Sequence, residues 1–220
     1  MKMNSYLIFG ITGSIGNSFA KLLSKKNSKI HITGYFNSSN NVNDIKSLFD
    51  NVNLNLYQID LASKNNILTT HIPNYEGLLY VAGQAHFSND FFDFAPESLY
   101  SLINIDIISL LLIIKRLREY KPSNLKKIVI VNSKIPDTLK SIYHLSKYLQ
   151  TDMLNQIKDI LNNENIGLSL VHTGWVNTNM MQKYVSFYNH TPNSYIEPVF
   201  LSEIIDEEFN CDKLFNNRFL

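Results

Sequence analysis

A single cysteine, Cys211, stands in a chain of 220 residues, so no intramolecular disulfide can form and no cysteine-based metal site is possible. Scarcity of thiol fits a reducing compartment. Excess charge of one sign is also lacking. Twenty Lys and Arg face 19 Asp and Glu, for a formal net charge of +1, which steers the chain toward neither nucleic acid nor an anionic membrane surface. Long hydrophobic runs are missing too. The longest, Ile107 to Ile114, is half of what a membrane span needs. The run Tyr6-Leu7-Ile8-Phe9 leads into a glycine-rich turn and has no small-residue cleavage site, so it reads as a strand and not as a secretory leader. These absences set the expectation of a cytoplasmic protein with no nucleic-acid or membrane partner and no metal.

What is present is ordinary globular material, 45% apolar and 18% charged, enough for one domain spanning 1–220 with a sizeable core. Short apolar runs alternate with stretches of helical period. The runs Tyr6–Phe9, Lys29–Thr33, Asn55–Ile59, Gly77–Val81, Lys127–Val131 and Gly167–Val171 are nearly continuous in apolar character, as in strands buried on both faces of a parallel sheet. Helices are expected over Ile15–Lys25, Val42–Phe49, Pro96–Tyr120 with a break inside it, Tyr143–Asn162 and Leu201–Phe209. This order predicts an α/β fold: a doubly wound, mostly parallel sheet of six to seven strands with helices on both faces.

The first strand runs into Gly10-Ile11-Thr12-Gly13-Ser14-Ile15-Gly16 and then an amphipathic helix through Phe19, Leu22 and Leu23. Glycines at this spacing permit positive φ and close approach of the backbone to a pyrophosphate. The helix behind them offers free N–H groups and its positive dipole end. A second signal is Tyr143-His144-Leu145-Ser146-Lys147. Positions i and i+4 share a helical face, and a nearby cation favours the ionised form of a phenol, making it a usable acid or base. Ten residues earlier, Ser133 follows the apolar run Ile128–Val131 at the strand end where ligand-facing side chains emerge in parallel sheets.

This ordered set resembles the short-chain dehydrogenase/reductase family over nearly the whole chain. The resemblance implies a Rossmann-type NAD(P)-binding domain with Ser133, Tyr143 and Lys147 as the catalytic serine, tyrosine and lysine. Gly10, Thr12, Gly13, Ser14, Ile15 and Gly16 resemble the nucleotide turn, in the spacing of the extended, sugar-nucleotide-modifying branch. Asp60, with Leu61 beside it, matches the acid of the adenine pocket. Val81-Ala82-Gly83 resembles the end of the family's Asn-Asn-Ala-Gly motif, with Tyr80 and Val81 in place of both asparagines. Gly174, Val176 and Thr178, in Thr173-Gly174-Trp175-Val176-Asn177-Thr178, resemble the stretch that holds the nicotinamide carboxamide. The family's fourth catalytic residue is an asparagine, and here Asp106 takes its place.

NAD-preferring members of such folds carry an acid at the end of the second strand. This chain has Phe36-Asn37-Ser38-Ser39 and no acid there, which favours NADP(H) over NAD(H), with Asn37, Ser38 and Ser39 around a 2′-phosphate. A small carbonyl or alcohol substrate is expected to meet Gln84–Phe87, the loop from Ser133 to Tyr143 and a loop over about 179–197 carrying Met180, Met181, Tyr184, Phe187 and Tyr188. The tail from Pro198 leaves little room for a seventh strand. The family resemblance implies a homodimer through the helices at 101–115 and 143–161. The leading expectation is an oxidoreductase interconverting a carbonyl and an alcohol with Tyr143 as acid or base. Two alternatives stand beside it: a catalytically weakened nucleotide-binding regulatory or scaffold protein, motivated by Asp106 and the missing asparagines, and a sugar-nucleotide-modifying enzyme, motivated by the glycine spacing.

Overall fold

The computed structural model describes residues 3–26, 29–38, 41–49, 53–120 and 122–220. Seven strands form one parallel sheet: β1 (Ser5–Phe9), β2 (His31–Phe36), β3 (Leu54–Gln58), β4 (Gly77–Tyr80), β5 (Lys127–Ser133), β6 (Gly167–Thr173) and β7 (Phe215–Phe219). Their order is β3-β2-β1-β4-β5-β6-β7. The order reverses direction between β1 and β4, which opens a crevice at their carboxyl ends.

Successive side chains of a strand point to opposite faces, and the core divides accordingly. On one face Leu7, Phe9, Leu78, Tyr80, Ile128 and Ile130 pack in one cluster. On the other, Tyr6, Ile8, Leu79 and Val129 pack with Phe19, Ala20 and Leu23 of α1 (Ser14–Lys26) and with Leu201, Ile205 and Phe209 of α8 (Pro198–Asn210). A Lys26–Asp206 ion pair joins the same two helices at the surface. This two-sided burial is the reason the inner strands read as unbroken apolar runs.

The long apolar helix is interrupted, as its sequence suggests. α4 (Pro96–Ile103) passes into a π-helical turn (Asn104–Ser109) and then α5 (Leu110–Glu119). By length and composition Pro96–Glu119 is long and apolar enough to cross a membrane. Ile105, Leu110, Ile113, Ile114 and Leu117 nevertheless belong to the core against the sheet.

Three expectations need correction. A seventh strand is present: β7 pairs in parallel with β6 from Leu168↔Phe215 to His172↔Phe219. Three of its five residues, Asn216, Asn217 and Arg218, are polar, and none is buried, as suits an edge strand. The region 179–197 is largely a helix, α7 (Asn179–Tyr188), and not a loop. Two short helices, α2 (Val42–Lys46) and α3 (Lys64–Thr69), flank β3; the first is shorter than expected and the second carries too little apolar periodicity to be read. The remaining long helix, α6 (Ile142–Asn163), falls where its periodicity places it.

Candidate active site

The glycine turn lies across the crevice from the end of β4. Gly10 has φ +93°, and a Cβ on it would stand 2.8 Å from the backbone nitrogen of Ala82. A Cβ on Gly16 would stand 2.3 Å from Gly10 O. Only glycine fits either position, because the α1 backbone, the turn and the Val81-Ala82 segment are in direct contact. Thr12 is buried, and its carbonyl accepts from Asn41 Nδ2 at 3.1 Å, tying the turn to the start of α2. Asn41 itself sits in the left-handed region at φ 65°.

At the far end of the same edge, Asn37 and Asp60 line one groove of about 350 Å³ with Gln58, Asn66 and Thr70. One Asp60 carboxylate oxygen accepts from the Ala62 N–H at 2.9 Å, and Gln58 Nε2 donates to Asn37 O at 2.9 Å. Leu61 is buried beneath, with its carbonyl accepting from Ser109 Oγ at 2.9 Å. Ser38 is exposed on the loop after β2, and Ser39 lies outside the described residues.

Tyr143 and Lys147 occupy the first turns of α6, whose N-cap is Ser141. Lys147 Nζ lies 5.8 Å from the centroid of the Tyr143 ring. A Cβ on Gly83 would stand 3.5 Å from the same ammonium. The Ala82-Gly83 segment after β4 and the Tyr-Lys face of α6 therefore meet at one crevice mouth. Ser133, at the end of β5, is partly exposed on the same carboxyl edge of the sheet. Its neighbour Asn132 fixes β5 to α6: Asn132 Nδ2 donates to Lys147 O at 3.1 Å and to Thr151 Oγ1 at 2.8 Å, and Asn132 Oδ1 accepts from the Ser133 N–H at 2.8 Å. Nothing in the local pattern of the sequence marks Asn132 for this work.

The π turn points Asp106 into this site. The residue is fully buried, and its carboxylate accepts from Lys147 Nζ at 2.8 Å and from Ser146 Oγ at 2.8 Å. Its carbonyl accepts from buried Gln150 Nε2 at 2.8 Å. Burial works against the Lys147 ammonium, but Asp106, Tyr143 and the hydrogen bond to Asp106 together hold it above the usual lysine value. Tyr80, at one of the positions where the family motif has asparagine, donates its buried hydroxyl to Ile105 O and so fastens the turn to β4. Burial, with Asp106 adding to it, pushes that phenol well above its ordinary value. His144 packs edge-on against Tyr143 at 5.6 Å and is held below the usual histidine value by burial and by Lys140.

The segment after β6 closes the other side. Thr178 caps α7 by accepting from the Met181 N–H at 3.2 Å, which leaves its O–H to donate. Ile196 N–H donates to Trp175 O and Asn177 N–H to Ile196 O, a bridge that does not use the backbone N–H and C=O of Val176. Gly174 lies between β6 and this bridge. No α7 residue is buried. The helix is held by an aromatic cluster: Tyr184 lies 4.3 Å from Trp175 and 6.1 Å from Phe87. The Tyr188 hydroxyl donates to Ser88 O at 2.6 Å and accepts from Ser88 N–H at 3.0 Å. The Gln84–Phe87 segment and α7, expected separately to meet the substrate, are thus joined to each other through Phe87 and the adjoining Ser88.

No family model matches the sequence, and no curated protein matches it. Solved structures do. A short chain dehydrogenase family protein from Francisella tularensis subsp. tularensis SCHU S4 is 20% identical over 100% of this chain and 97% of its own, with a TM-score of 0.78. A short-chain dehydrogenase from Sphingobium yanoikuyae in complex with NADPH is 18% identical over 98% of this chain and 87% of its own, with a TM-score of 0.83. L-Sorbose reductase from Gluconobacter frateurii, complexed with NADPH and L-sorbose, is 14% identical over 100% of this chain and 95% of its own, with a TM-score of 0.76. The chain therefore has, from end to end, the Rossmann-type fold of the short-chain dehydrogenase/reductase structures.

Proposed function

We propose that this chain is an NAD(P)(H)-dependent oxidoreductase of the short-chain dehydrogenase/reductase family that interconverts a carbonyl and an alcohol. The observation that carries the reading is the convergence of the buried Lys147 ammonium, the Tyr143 ring 5.8 Å from it and Gly83 at one crevice mouth. The residues fit a dinucleotide. The turn from Gly10 to Gly16 is packed so closely that a Cβ on Gly10 or Gly16 would meet backbone at 2.8 or 2.3 Å, and the first turn of α1 behind it presents N–H groups to a phosphate. Asn37 and Asp60 line a groove at the adenosine end, and Gly174, Val176 and Thr178 stand at the nicotinamide end. When bound, the nicotinamide supplies or accepts a hydride.

In the reductive direction Tyr143 gives its hydroxyl proton to the substrate oxygen while the carbonyl carbon is reduced, and it regains a proton from solvent. Ser133 donates a hydrogen bond to the same oxygen and orients it. Lys147 holds positive charge beside Tyr143 and would bind the ribose of the cofactor. The missing carboxylate at the end of β2 supports NADP(H) over NAD(H). Similar structures carry that cofactor in their own complexes. Single-cysteine composition supports a cytoplasmic setting. The exposed apolar side chains Ile108, Leu111, Tyr148 and Leu149 on α5, α6 and the π turn support a homodimer through these helices.

The test is a thermal-shift comparison of NADH and NADPH, then a carbonyl panel with the better cofactor. Tyr143→Phe is expected to lower turnover by about 10³-fold or more while cofactor binding stays within about threefold. Undiminished turnover in this variant would overturn the assignment. Tight NADPH binding with no turnover of any carbonyl would identify a nucleotide-binding regulatory protein instead.

A further inference from the structure

The Asp106–Lys147 pair changes what Lys147 can do for Tyr143. An isolated ammonium beside a phenol favours the phenolate. Here the ammonium is in direct contact with a carboxylate, both side chains are buried, and the second carboxylate oxygen is held by Ser146 Oγ at 2.8 Å. The pair has no net charge, and its potential at a third group falls off more steeply than that of one ion.

We propose that Asp106 is a positioning residue that sets Tyr143 as a proton donor, by cancelling the Lys147 charge that would otherwise favour the phenolate, and so keeps the phenol protonated to higher pH. The proposal rests on the oxidoreductase reading above. Other ionisable groups stand around the pair, with Lys134 and Lys140 in the loop between β5 and α6. On α6, His144 is held toward its neutral form by burial, with Lys140 in the preceding loop adding to this. On β4, the Tyr80 hydroxyl is committed to Ile105 O. On β5, Lys127 donates to Lys213 O at 2.8 Å, away from the carboxyl edge of the sheet. On β6, His172 is stacked on Phe219 at 4.7 Å. On α4, Glu97 and Tyr100 are exposed.

The charge of the carboxylate and its hydrogen bonding are separable by mutation. Asp106→Asn keeps the shape and an acceptor for Lys147 but removes the charge. Ser146→Ala removes one hydrogen bond to Asp106 and leaves the charge. Asp106→Ser serves as a second charge-removing variant should the asparagine protein fold poorly.

The readout is tyrosinate absorbance of the cofactor-free protein against pH, with the Tyr143→Phe counterpart of each protein subtracted to isolate one phenol. In the charge-removing variants the isolated step is expected to move to lower pH by about one unit or more, and in Ser146→Ala to stay in place. An unmoved step in the Asp106 variants would overturn the proposal, as would an equal shift in Ser146→Ala, which would show packing and not charge at work. With a carbonyl and alcohol pair in hand, the pH at which alcohol oxidation reaches half its maximum is expected to fall by about one unit in Asp106→Asn. A spectroscopic shift in a protein that binds neither NADH nor NADPH would support the charge pairing and overturn the oxidoreductase reading.

Discussion

Asp106 and Lys147 face each other with side-chain exposures of 0% and 6%. Neither ion can recover its hydration if the other is removed. Lys147→Met is therefore expected to destabilise the fold by about 3–5 kcal/mol, because it strands a buried carboxylate. The double variant Asp106→Leu/Lys147→Met should recover most of that loss. Urea denaturation of the single and double variants measures both numbers, and equal losses in the two would contradict the argument. Lys147 is held above its ordinary value in the fold, so its share of stability is complete below the unfolded lysine pKa of about 10.4 and is lost only as pH rises through the higher folded value.

His172 has the opposite sign. Burial holds its folded pKa below the usual value, so the unfolded chain takes up a proton first as pH falls. Its contribution is complete above about pH 6.5 and is lost below that as pH falls toward the folded value. His172→Gln is expected to flatten the acid limb of stability against pH, by no more than about 1.4 kcal/mol per pH unit. Chemical denaturation at a series of acidic pH values checks it.

At the scale of elements, the glycine turn and the π turn do most to shape the site. Gly16→Ala places a methyl group 2.3 Å from Gly10 O, a backbone atom that has no room to yield. The expected cost is about 2–4 kcal/mol of stability. Dinucleotide binding should also be lost in whatever folds, as measured by denaturant midpoint and cofactor-induced thermal shift. The glycine turn was legible because its residue types are dictated locally, by φ and by close approach. The π turn was legible only as a break in a long helix. Its consequence, Asp106 aimed at Lys147 across 41 positions of sequence, depends on α6 lying against it. Asn132 was invisible for a related reason: its partners, Lys147 O and Thr151 Oγ1, belong to an element that reaches it only when β5 and α6 dock.

For the molecule as a whole, β7 closes the sheet beside β6, and its backbone is further tied by Leu168 N–H donating to Leu214 O at 2.6 Å. Deleting 212–220 would leave the hydrogen-bonding edge of β6 open along Leu168 to His172. Such an edge templates association, so the truncated chain is expected to elute as aggregate in size exclusion. On the helical side, the proposed homodimer predicts that Leu111→Glu combined with Tyr148→Glu shifts the native mass from dimer to monomer in light scattering. A monomeric native protein would refute it.

The sequence by itself determined the class of fold, the order of the first six strands and the main candidates of the site. Two-sided burial writes continuous apolar runs, a turn in close backbone contact demands glycine, and an i to i+4 pair shares a helical face whatever else surrounds it. Tertiary structure alone decided the rest. The seventh strand, polar at its three central positions, lies at an edge, and the segment at 179–188 is helical with an aromatic face whose partners, Trp175 and Phe87, lie outside it. The charge state of the crevice follows from a carboxylate and an ammonium brought within 2.8 Å. Such pairings depend on the distance between elements, which no local pattern of residues encodes.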